Sequence, residues 1–222
     1  MPRTRGVILD IDGTLVNSND AHARAWVSAL AESGLYVSFN TVRQLIGMGG
    51  DKLLPAVANI EEETDLGRHI SKRRGEIFRA EHLPNLHAFP KTRELLSRLR
   101  EAGMKLAVAS SAKRDELDAL LDLTRAKDLV EDVTSSSDAE NSKPDPDIVR
   151  AALQGLGFEA SRVLMLGDTP YDIAAASGAG ISTIAVRCGG HNDRDLSGAI
   201  AIYDDPAQLL AQLDESPLLN GR

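Results

Sequence analysis

The segment 6–14, Gly-Val-Ile-Leu-Asp-Ile-Asp-Gly-Thr, largely determines how this chain is interpreted. Four consecutive apolar residues at 6–9 are typical of a short strand that is buried on both faces. Two carboxylates, Asp10 and Asp12, follow the strand directly, and Gly13 then permits a tight turn. A pair of this kind, taken alone, is also typical of a solvated turn, so the rest of the chain must decide its role.

Short apolar runs recur along the chain and alternate with stretches of helical periodicity. The further runs lie at 105–109, 163–166, 181–186 and 199–202, with a shorter one near 129–133. The helical stretches lie at 92–102, 114–122, 146–156, 173–177 and 207–213. This alternation predicts an α/β fold in which helices cover both faces of a parallel sheet. Ligands of such sheets bind beyond the carboxyl ends of the strands.

One spacing breaks the alternation and predicts an inserted lobe. Nearly 100 residues separate the first two apolar runs, whereas a simple βαβ unit needs about 30. We therefore expect a helical cap domain at 18–86 and a core made of 1–17 plus 87–222. The alternative is a set of extra helices packed elsewhere on the core. The helices predicted within the insertion span 21–31, 41–46, 52–58 and 62–81.

Composition excludes several classes of partner and compartment. The chain has 222 residues and a formal net charge of −8, which repels nucleic acid and anionic membranes. No apolar run is long enough for a signal peptide or a membrane helix. The single cysteine, Cys188, cannot form an internal disulfide and is assigned no role. We expect a cytoplasmic protein without nucleic-acid or membrane partners, either a monomer or a homodimer.

Polar residues follow several of the predicted strands and should meet at one edge of the sheet. Carboxylates this close together need compensation, and a divalent cation is the natural compensator. A site built from oxygen ligands suits Mg²⁺, which also binds substrate phosphates. The residues at these strand ends are Asp10, Asp12, Ser110, Ser111, Lys143, Asp168 and Asp172.

This set of side chains predicts phosphoryl transfer. Asp10 can attack phosphorus, and Asp12 can protonate the leaving oxygen and later deprotonate the attacking water. Lys143 would neutralise the nucleophile and the transferring group, and Ser110 would bond a phosphoryl oxygen. Gly13 would bring backbone N–H groups near the phosphate.

These motifs together resemble the haloacid dehalogenase superfamily, in order and over essentially the whole chain. The first motif is Asp10-Ile11-Asp12-Gly13-Thr14, the second is Ser110, the third is Lys143-Pro144-Asp145-Pro146, and the fourth runs from Gly167 to Asp172. The insertion resembles the small cap of the phosphoglycolate phosphatase and β-phosphoglucomutase branch. The resemblance implies a Rossmann-like three-layer core with Mg²⁺ held by Asp10, the Asp12 carbonyl and Asp168, and Asp172 supporting. The presence of Asp12 favours phosphoryl transfer over carbon–halogen cleavage.

The remaining candidates contact phosphate or substrate, and each keeps an alternative. Gly13, Thr14 and Ser111 are expected at the phosphate, although Ser111 is equally a turn residue, and Asp172 is also a candidate helix N-cap. Lys52 ends a glycine-rich loop that either touches substrate or simply joins two helices. Arg74 either reaches a second anionic group or lies on a solvated face. His22 and Trp26 resemble the β-phosphoglucomutase pattern, or form a packed hinge.

The best interpretation is a Mg²⁺-dependent phosphatase acting on a small phosphorylated metabolite, of the sugar phosphate or phosphoglycolate type. A β-phosphoglucomutase is the nearest rival, but the cap loop lacks the arginine expected for its second phosphate site. A phospho-aspartate receiver would be about half as long, and a silent binding protein would tolerate loss of Asp10 or Lys143. One further departure from the family pattern is Pro90-Lys91, where Pro-Gly is usual, and we interpret it as a change of turn.

Overall fold

The computed structural model describes residues 4–220, and the ends of the predicted core at 1–3 and 221–222 lie outside the described residues. Six parallel strands form one sheet in the order β3-β2-β1-β4-β5-β6. The strands are β1 Gly6–Leu9, β2 Lys105–Ala109, β3 Asp132–Thr134, β4 Val163–Gly167, β5 Ser182–Val186 and β6 Ala201–Tyr203. The predicted α/β class with a parallel, Rossmann-like sheet is confirmed.

Helices pack on both faces of the sheet, which makes the core three-layered. The core helices are α5 Thr92–Glu101, α6 Arg114–Leu123, α7 Asp147–Leu156, α8 Pro170–Gly178, α9 Pro206–Ala211 and α10 Pro217–Asn220. The central strand β1 is fully buried and pairs with β2 on one side and β4 on the other. Since β1, β2 and β4 are adjacent and parallel, the residues that follow them emerge side by side.

A helical cap follows β1, as expected from the sequence. Its helices are α1 Asn19–Glu32, α2 Phe39–Arg43, α3 Gly50–Ala58 and α4 Asp65–Ile77, and a π-helical turn extends α4 over Phe78–His82. The two chain segments that link cap and core run together, because Val16 pairs with Ala88 and Asn17 N–H donates to the His87 carbonyl over 3.1 Å. The bounds 18–86 for the cap stay a prediction.

Several element ends differ from those predicted, and capping explains the clearest cases. The helix expected over 62–81 begins at Asp65, because Thr64 caps it by accepting a hydrogen bond from Gly67 N–H. The helix expected over 41–46 begins at Phe39, because Ser38 caps it in the same way. The helix expected over 173–177 begins at Pro170, where Thr169 is the N-cap. Within residues 4–220, no helix is both long and apolar enough to cross a membrane.

Candidate active site

Lys143 lies at the centre of a buried ionic cluster at the carboxyl edge of the sheet. The loop between β3 and α7 places its side chain, which is wholly buried, below Asp10. Its Nζ lies 2.6 Å from Asp10 Oδ1 and 2.8 Å from Asp172 Oδ1, and it donates to the Ala109 carbonyl over 2.7 Å. Burial alone would lower the pKa of Lys143, but Asp10 and Asp172 outweigh it and raise the pKa. The lysine is therefore held in its charged form beside two carboxylates.

Asp10 and Asp168 share the hydroxyl group of Thr14. Thr14 Oγ1 lies 3.0 Å from Asp10 Oδ2 and 2.9 Å from Asp168 Oδ1. Asn19 Nδ2 donates to Asp168 Oδ2 over 2.9 Å and thereby fixes the second oxygen of that carboxylate. Thr14 was expected at the phosphate, and in this structure it orients the two aspartates. Asn19 was missed by the sequence reasoning, because an amide at the start of a helix gives no specific signal.

Gly13 is required at its position by both backbone conformation and space. Its φ of 76° lies in the left-handed region, which favours glycine. A Cβ atom at this position would collide with the side chains of Asn19 and Asp168. The Gly13 carbonyl accepts a 3.3 Å hydrogen bond from the thiol of Cys188, and burial raises the pKa of that thiol. Cys188 is thus a packed, protonated residue below the loop.

Asp172 belongs to a reciprocal cap at the start of α8. Thr169 is the N-cap, and its Oγ1 accepts from Asp172 N–H over 3.1 Å and donates to Asp172 Oδ2 over 2.7 Å. Asp172 Oδ2 also accepts from the backbone N–H of Asp168 and Thr169, at 3.2 Å and 3.0 Å. The alternative that Asp172 is itself the N-cap is wrong, because it occupies the third helical position of a capping box.

The three carboxylates form a cluster that fits a divalent cation. Asp10, Asp168 and Asp172 each offer an oxygen atom within 4.8 Å of the others, and all three side chains are buried. Burial and the neighbouring carboxylates Asp172 and Asp12 raise the pKa of Asp10 to about 7, although Lys143 opposes this. Burial and the charge of Asp10 raise the pKa of Asp168 well above its ordinary value. Such repulsion, within a set of oxygen donors, is what a bound Mg²⁺ ion would relieve.

Asp12 is held apart from this cluster by residues of the cap. Its Oδ1 accepts a 2.5 Å hydrogen bond from Ser18 Oγ and lies 2.7 Å from His22 Nε2. Burial raises the pKa of Asp12, but His22 and Ser18 outweigh this effect and leave the pKa below its ordinary value. The two neighbouring aspartates, Asp10 and Asp12, thus have pKa values shifted in opposite directions, which is the usual sign of different chemical roles.

His22 is placed by aromatic stacking and by a second carboxylate. Its ring stacks on Phe78 with 4.1 Å between ring centroids, and its Nδ1 lies 3.7 Å from Glu116 Oε1. The sequence reasoning named His22 only as part of a pattern, and it missed Glu116 altogether. The spacing of His22 from Ser18, one turn of α1, was the available signal, since both then reach the same carboxylate.

Arg74 lies in the site and not on a solvated face. Its Nη1 donates to both carboxylate oxygens of Glu116 over 2.8 Å, and its guanidinium lies 5.2 Å from the centre of the Trp26 ring. Arg74 comes from cap helix α4 and Glu116 from core helix α6, so this buried ion pair joins cap and core. The Nε atom of Arg74 is buried and has no hydrogen-bond partner among the described residues.

A cavity of about 50 Å³ lies between the cap and the aspartates. Arg74 is the only arginine or lysine among its described lining residues. Ser110 Oγ accepts from Ala112 N–H over 3.1 Å, and Ser111 Oγ donates to the Gly47 carbonyl over 3.1 Å. The lining residues are Asp10, Asp12, His22, Trp26, Ile46, Gly47, Met48, Gly49, Gly50, Arg74, Ser110, Ser111, Ala112 and Glu116.

Lys52 is not brought to this cavity. It lies in the first turns of α3, and its Nζ is 2.8 Å from Asp145 Oδ2 in a partly exposed ion pair. Of the sequence-predicted residues, the structure thus brings together Asp10, Asp12, Ser110, Ser111 and Arg74 along the cavity, while Thr14, Lys143, Asp168 and Asp172 lie directly around Asp10.

Comparison with known proteins identifies the class of this enzyme. Residues 7–186 match the family model of haloacid dehalogenase-like hydrolases. A phosphoglycolate phosphatase from Rhodospirillum rubrum is 32% identical over 214 residues, which cover 92% of this chain and 89% of that protein. Protein CbbY from Rhodobacter capsulatus is 30% identical, over 81% of this chain and 84% of its own.

The solved structures agree with the sequence relatives. The crystal structure of a hydrolase from Pseudomonas syringae is 28% identical and matches with a TM-score of 0.89, covering 96% of this chain and 99% of that one. The chain therefore belongs to the haloacid dehalogenase-like hydrolases and is an enzyme. The predicted branch, which includes the phosphoglycolate phosphatases, is also confirmed.

Proposed function

We propose that this chain is a Mg²⁺-dependent phosphatase that hydrolyses a small phosphorylated metabolite through a phosphoryl group carried on Asp10. One observation carries the proposal. Asp10 faces the cavity with Lys143 on one oxygen, while Asp12, beside it, is held separately by His22. A nucleophile and a general acid are thereby placed next to each other with different electrostatic environments.

In the first step, an oxygen of Asp10 attacks the phosphorus atom and the bond to the leaving oxygen breaks. Asp12 gives a proton to that oxygen, and in the second step it takes a proton from the water that attacks the aspartyl-phosphate. Lys143 neutralises charge at Asp10, and Ser110 and the turn at Gly13 and Thr14 bind the phosphoryl oxygens.

The carboxylates of Asp10, Asp168 and Asp172, with the Asp12 carbonyl, are proposed to hold the Mg²⁺ ion. Three buried carboxylates within 4.8 Å of one another fit its preference for oxygen ligands. The bound ion would supply positive charge for the phosphoryl group and would let the carboxylates ionise together.

The cavity favours a small substrate. About 50 Å³ corresponds to only a few water molecules, so a large sugar phosphate would require the cap to move. The Nε of Arg74 is buried and has no partner within residues 4–220, and Arg74 is proposed to bind a carboxylate or hydroxyl group at the far end of the substrate. Glycines at 47, 49 and 50 provide no cationic side chain for a second phosphate, which favours hydrolysis over the mutase reaction.

The experiment is a phosphate-release assay on a panel of phosphorylated metabolites that includes phosphoglycolate and β-glucose 1-phosphate, with Mg²⁺. We expect release from one or a few compounds, no release with excess chelator, and no release from the Asp10→Asn variant. The matched control is Asp20→Asn, an exposed carboxylate at the start of α1, which should retain full activity. Equal activity of Asp10→Asn and the wild type would contradict the proposal.

A further inference from the structure

One short cap segment, residues 44–52, contacts several core loops of the site. Tyr171 donates from its hydroxyl to the Gln44 carbonyl over 2.9 Å, and Ser111 donates to the Gly47 carbonyl. A Cβ atom on Gly47 would lie 2.8 Å from the Thr169 side chain. The backbone of the segment thus packs directly on the loops that follow β2 and β4.

The same cap segment also binds the third core loop, the one that carries Lys143. Gly49 N–H donates to Ser142 Oγ over 3.0 Å, and Ser142 Oγ in turn donates to Asp51 Oδ1 over 2.5 Å. Ser142 is almost fully buried, and it is the residue immediately before Lys143. A Cβ atom at Gly49 would lie 2.6 Å from Ser142, so the close approach depends on glycine.

We propose that Ser142 and Asp51 are positioning residues through which the cap segment restrains the backbone of Lys143 and holds the cap closed over the site. This inference rests on the proposed function, because the two residues would affect catalysis through Lys143. Neither residue is among the described residues that line the cavity. Ser142 Oγ accepts a hydrogen bond from Gly49 N–H of the cap and donates one to Asp51 Oδ1 of the cap. Replacing Ser142 by alanine therefore breaks both hydrogen bonds.

Ser142 and Asp51 fix the position of the Lys143 loop and do not change the charge of the ionic cluster. Lys143 keeps its contacts with Asp10, Asp172 and the Ala109 carbonyl when Ser142 is changed, so the ionic cluster survives. What is lost is the link that fixes the loop to the cap. We therefore expect kcat to fall, because the loop places Lys143 less exactly, and KM to rise, because the cap closes less readily over the substrate.

Trp26 provides a readout that does not depend on activity. It is the only tryptophan of the chain, it is 4% exposed, and it lines the cavity between cap and core. Opening of the cap would expose its ring to solvent and to a quencher such as acrylamide.

The test compares Ser142→Ala, Asp51→Ala and the double variant by kcat, KM and acrylamide quenching of Trp26. Each single change removes two hydrogen bonds of the cap segment and is expected to lower kcat about threefold to tenfold and to increase quenching. Ser142→Ala also removes the bond from Gly49 N–H, and Asp51→Ala also removes the 3.4 Å bond from Ser142 N–H to Asp51 Oδ2. Both changes remove the bond between Ser142 Oγ and Asp51 Oδ1, so the fall in kcat of the double variant should be smaller than the two single effects combined. Asp51→Asn keeps an acceptor at Oδ1 and should restore most of the kcat.

The matched control is Asp145→Asn, which breaks the partly exposed ion pair to Lys52 between the same two segments and should change little. Unchanged Trp26 quenching in Ser142→Ala, or effects of the two single changes that add in the double variant, would overturn the inference. The quenching arm needs no substrate, so it decides the inference even if the panel of phosphorylated metabolites yields no activity.

Discussion

Two aspartates that look alike in the sequence, Asp10 and Asp12, have different surroundings in the structure. Asp10 and Asp12 differ by two positions, yet Asp10 faces Lys143 in a buried cluster while Asp12 is bonded to Ser18 and His22. In a continued strand two residues at this spacing would share a face, but β1 ends at Leu9 and the chain turns between Ile11 and Val16, which separates the two carboxylates. Without a metal ion, the different surroundings raise the pKa of Asp10 and lower that of Asp12. A Mg²⁺ ion bound at Asp10 would favour the ionised form that a nucleophile requires.

Lys91 allows a prediction about a single residue. Its φ of 65° lies in the left-handed region, which is costly for a residue with a Cβ. We expect Lys91→Gly to increase the free energy of unfolding by up to ~1 kcal/mol, after the extra flexibility of glycine in the unfolded chain is subtracted. Urea denaturation would measure this.

The control for this change is Lys91→Ala, which keeps the Cβ atom and removes only the exposed ion pair with Glu94. Its stability should equal or fall slightly below that of the wild type. A glycine variant no more stable than the alanine variant would mean that the left-handed backbone carries no strain.

The sequence identified the catalytic candidates better than their partners. Asp10, Lys143 and Asp168 follow predicted strands or precede a predicted helix, so topology alone brings them together. His22, Asn19 and Glu116 act through contacts between cap and core, and the packing of one lobe on another leaves no period or spacing in the sequence. Lys52 was expected near the substrate because it ends a glycine-rich loop, yet its side chain turns to Asp145.

At the scale of the elements, helix caps both delimit the helices and position the site. The capping box at the start of α8 orients Asp172 toward Lys143 and also binds the backbone of Asp168. The sequence reasoning began this helix three residues late, because it followed apolar periodicity and gave no weight to Thr169 and Pro170 as a start signal. Strand positions were predicted more closely, since buried parallel strands are short, unbroken apolar runs.

Thr169 therefore carries a prediction for α8. Thr169→Ala removes the acceptor for Asp172 N–H and a donor to Asp172 Oδ2, and should lower the free energy of unfolding by about 1–2 kcal/mol. It should also lower kcat, because Asp172 loses one of the bonds that orient it. Thermal or urea denaturation and steady-state kinetics would measure the two effects.

Thr169→Ser retains the hydroxyl group and is the matched control, with stability and kcat near those of the wild type. Thr64→Ala, which removes the equivalent cap of α4 away from the site, should lower stability but leave kcat unchanged. If Thr64→Ala lowered kcat as much as Thr169→Ala, the effect would be one of general stability and not of Asp172.

The whole molecule combines a six-stranded core with a cluster of buried carboxylates that Lys143 compensates only in part. The family, the fold class and the helical cap could all be predicted, because four motifs occur in order on a regular alternation of strands and helices. The way the cap meets the core could not, because it depends on backbone contacts of residues 44–52. The expected cytoplasmic location and the oligomeric state stay predictions.

The cluster predicts how stability depends on pH in the absence of metal. The pKa of Asp10 is raised to about 7 in the folded protein, so the proton is bound more tightly there than in the unfolded chain. This contribution to stability is complete below the ordinary carboxyl pKa and is lost as pH rises through about 7. With chelator present, the wild type should lose more stability between about pH 5.5 and about pH 8 than Asp10→Asn does.

Mg²⁺ should reverse this trend, because the ion binds the ionised carboxylates. Its addition should raise the melting temperature of the wild type more at about pH 8 than at about pH 5.5. Calorimetry with Mg²⁺ and with chelator at both pH values would measure it. If the stability of the wild type and of Asp10→Asn depended equally on pH, and Mg²⁺ had no effect on the melting temperature, the proposed Mg²⁺ site would be contradicted.

The most direct test of the central claim is to trap the phosphoryl group on the protein. The enzyme would be mixed with a labelled phosphoryl donor, acetyl phosphate or a substrate from the panel, quenched in acid, and treated with borohydride, which reduces an aspartyl-phosphate to homoserine. The account predicts homoserine at position 10 by peptide mass spectrometry, and none when Asp10 is replaced by asparagine. Phosphate release without any modification of Asp10, or a label on another residue, would contradict it.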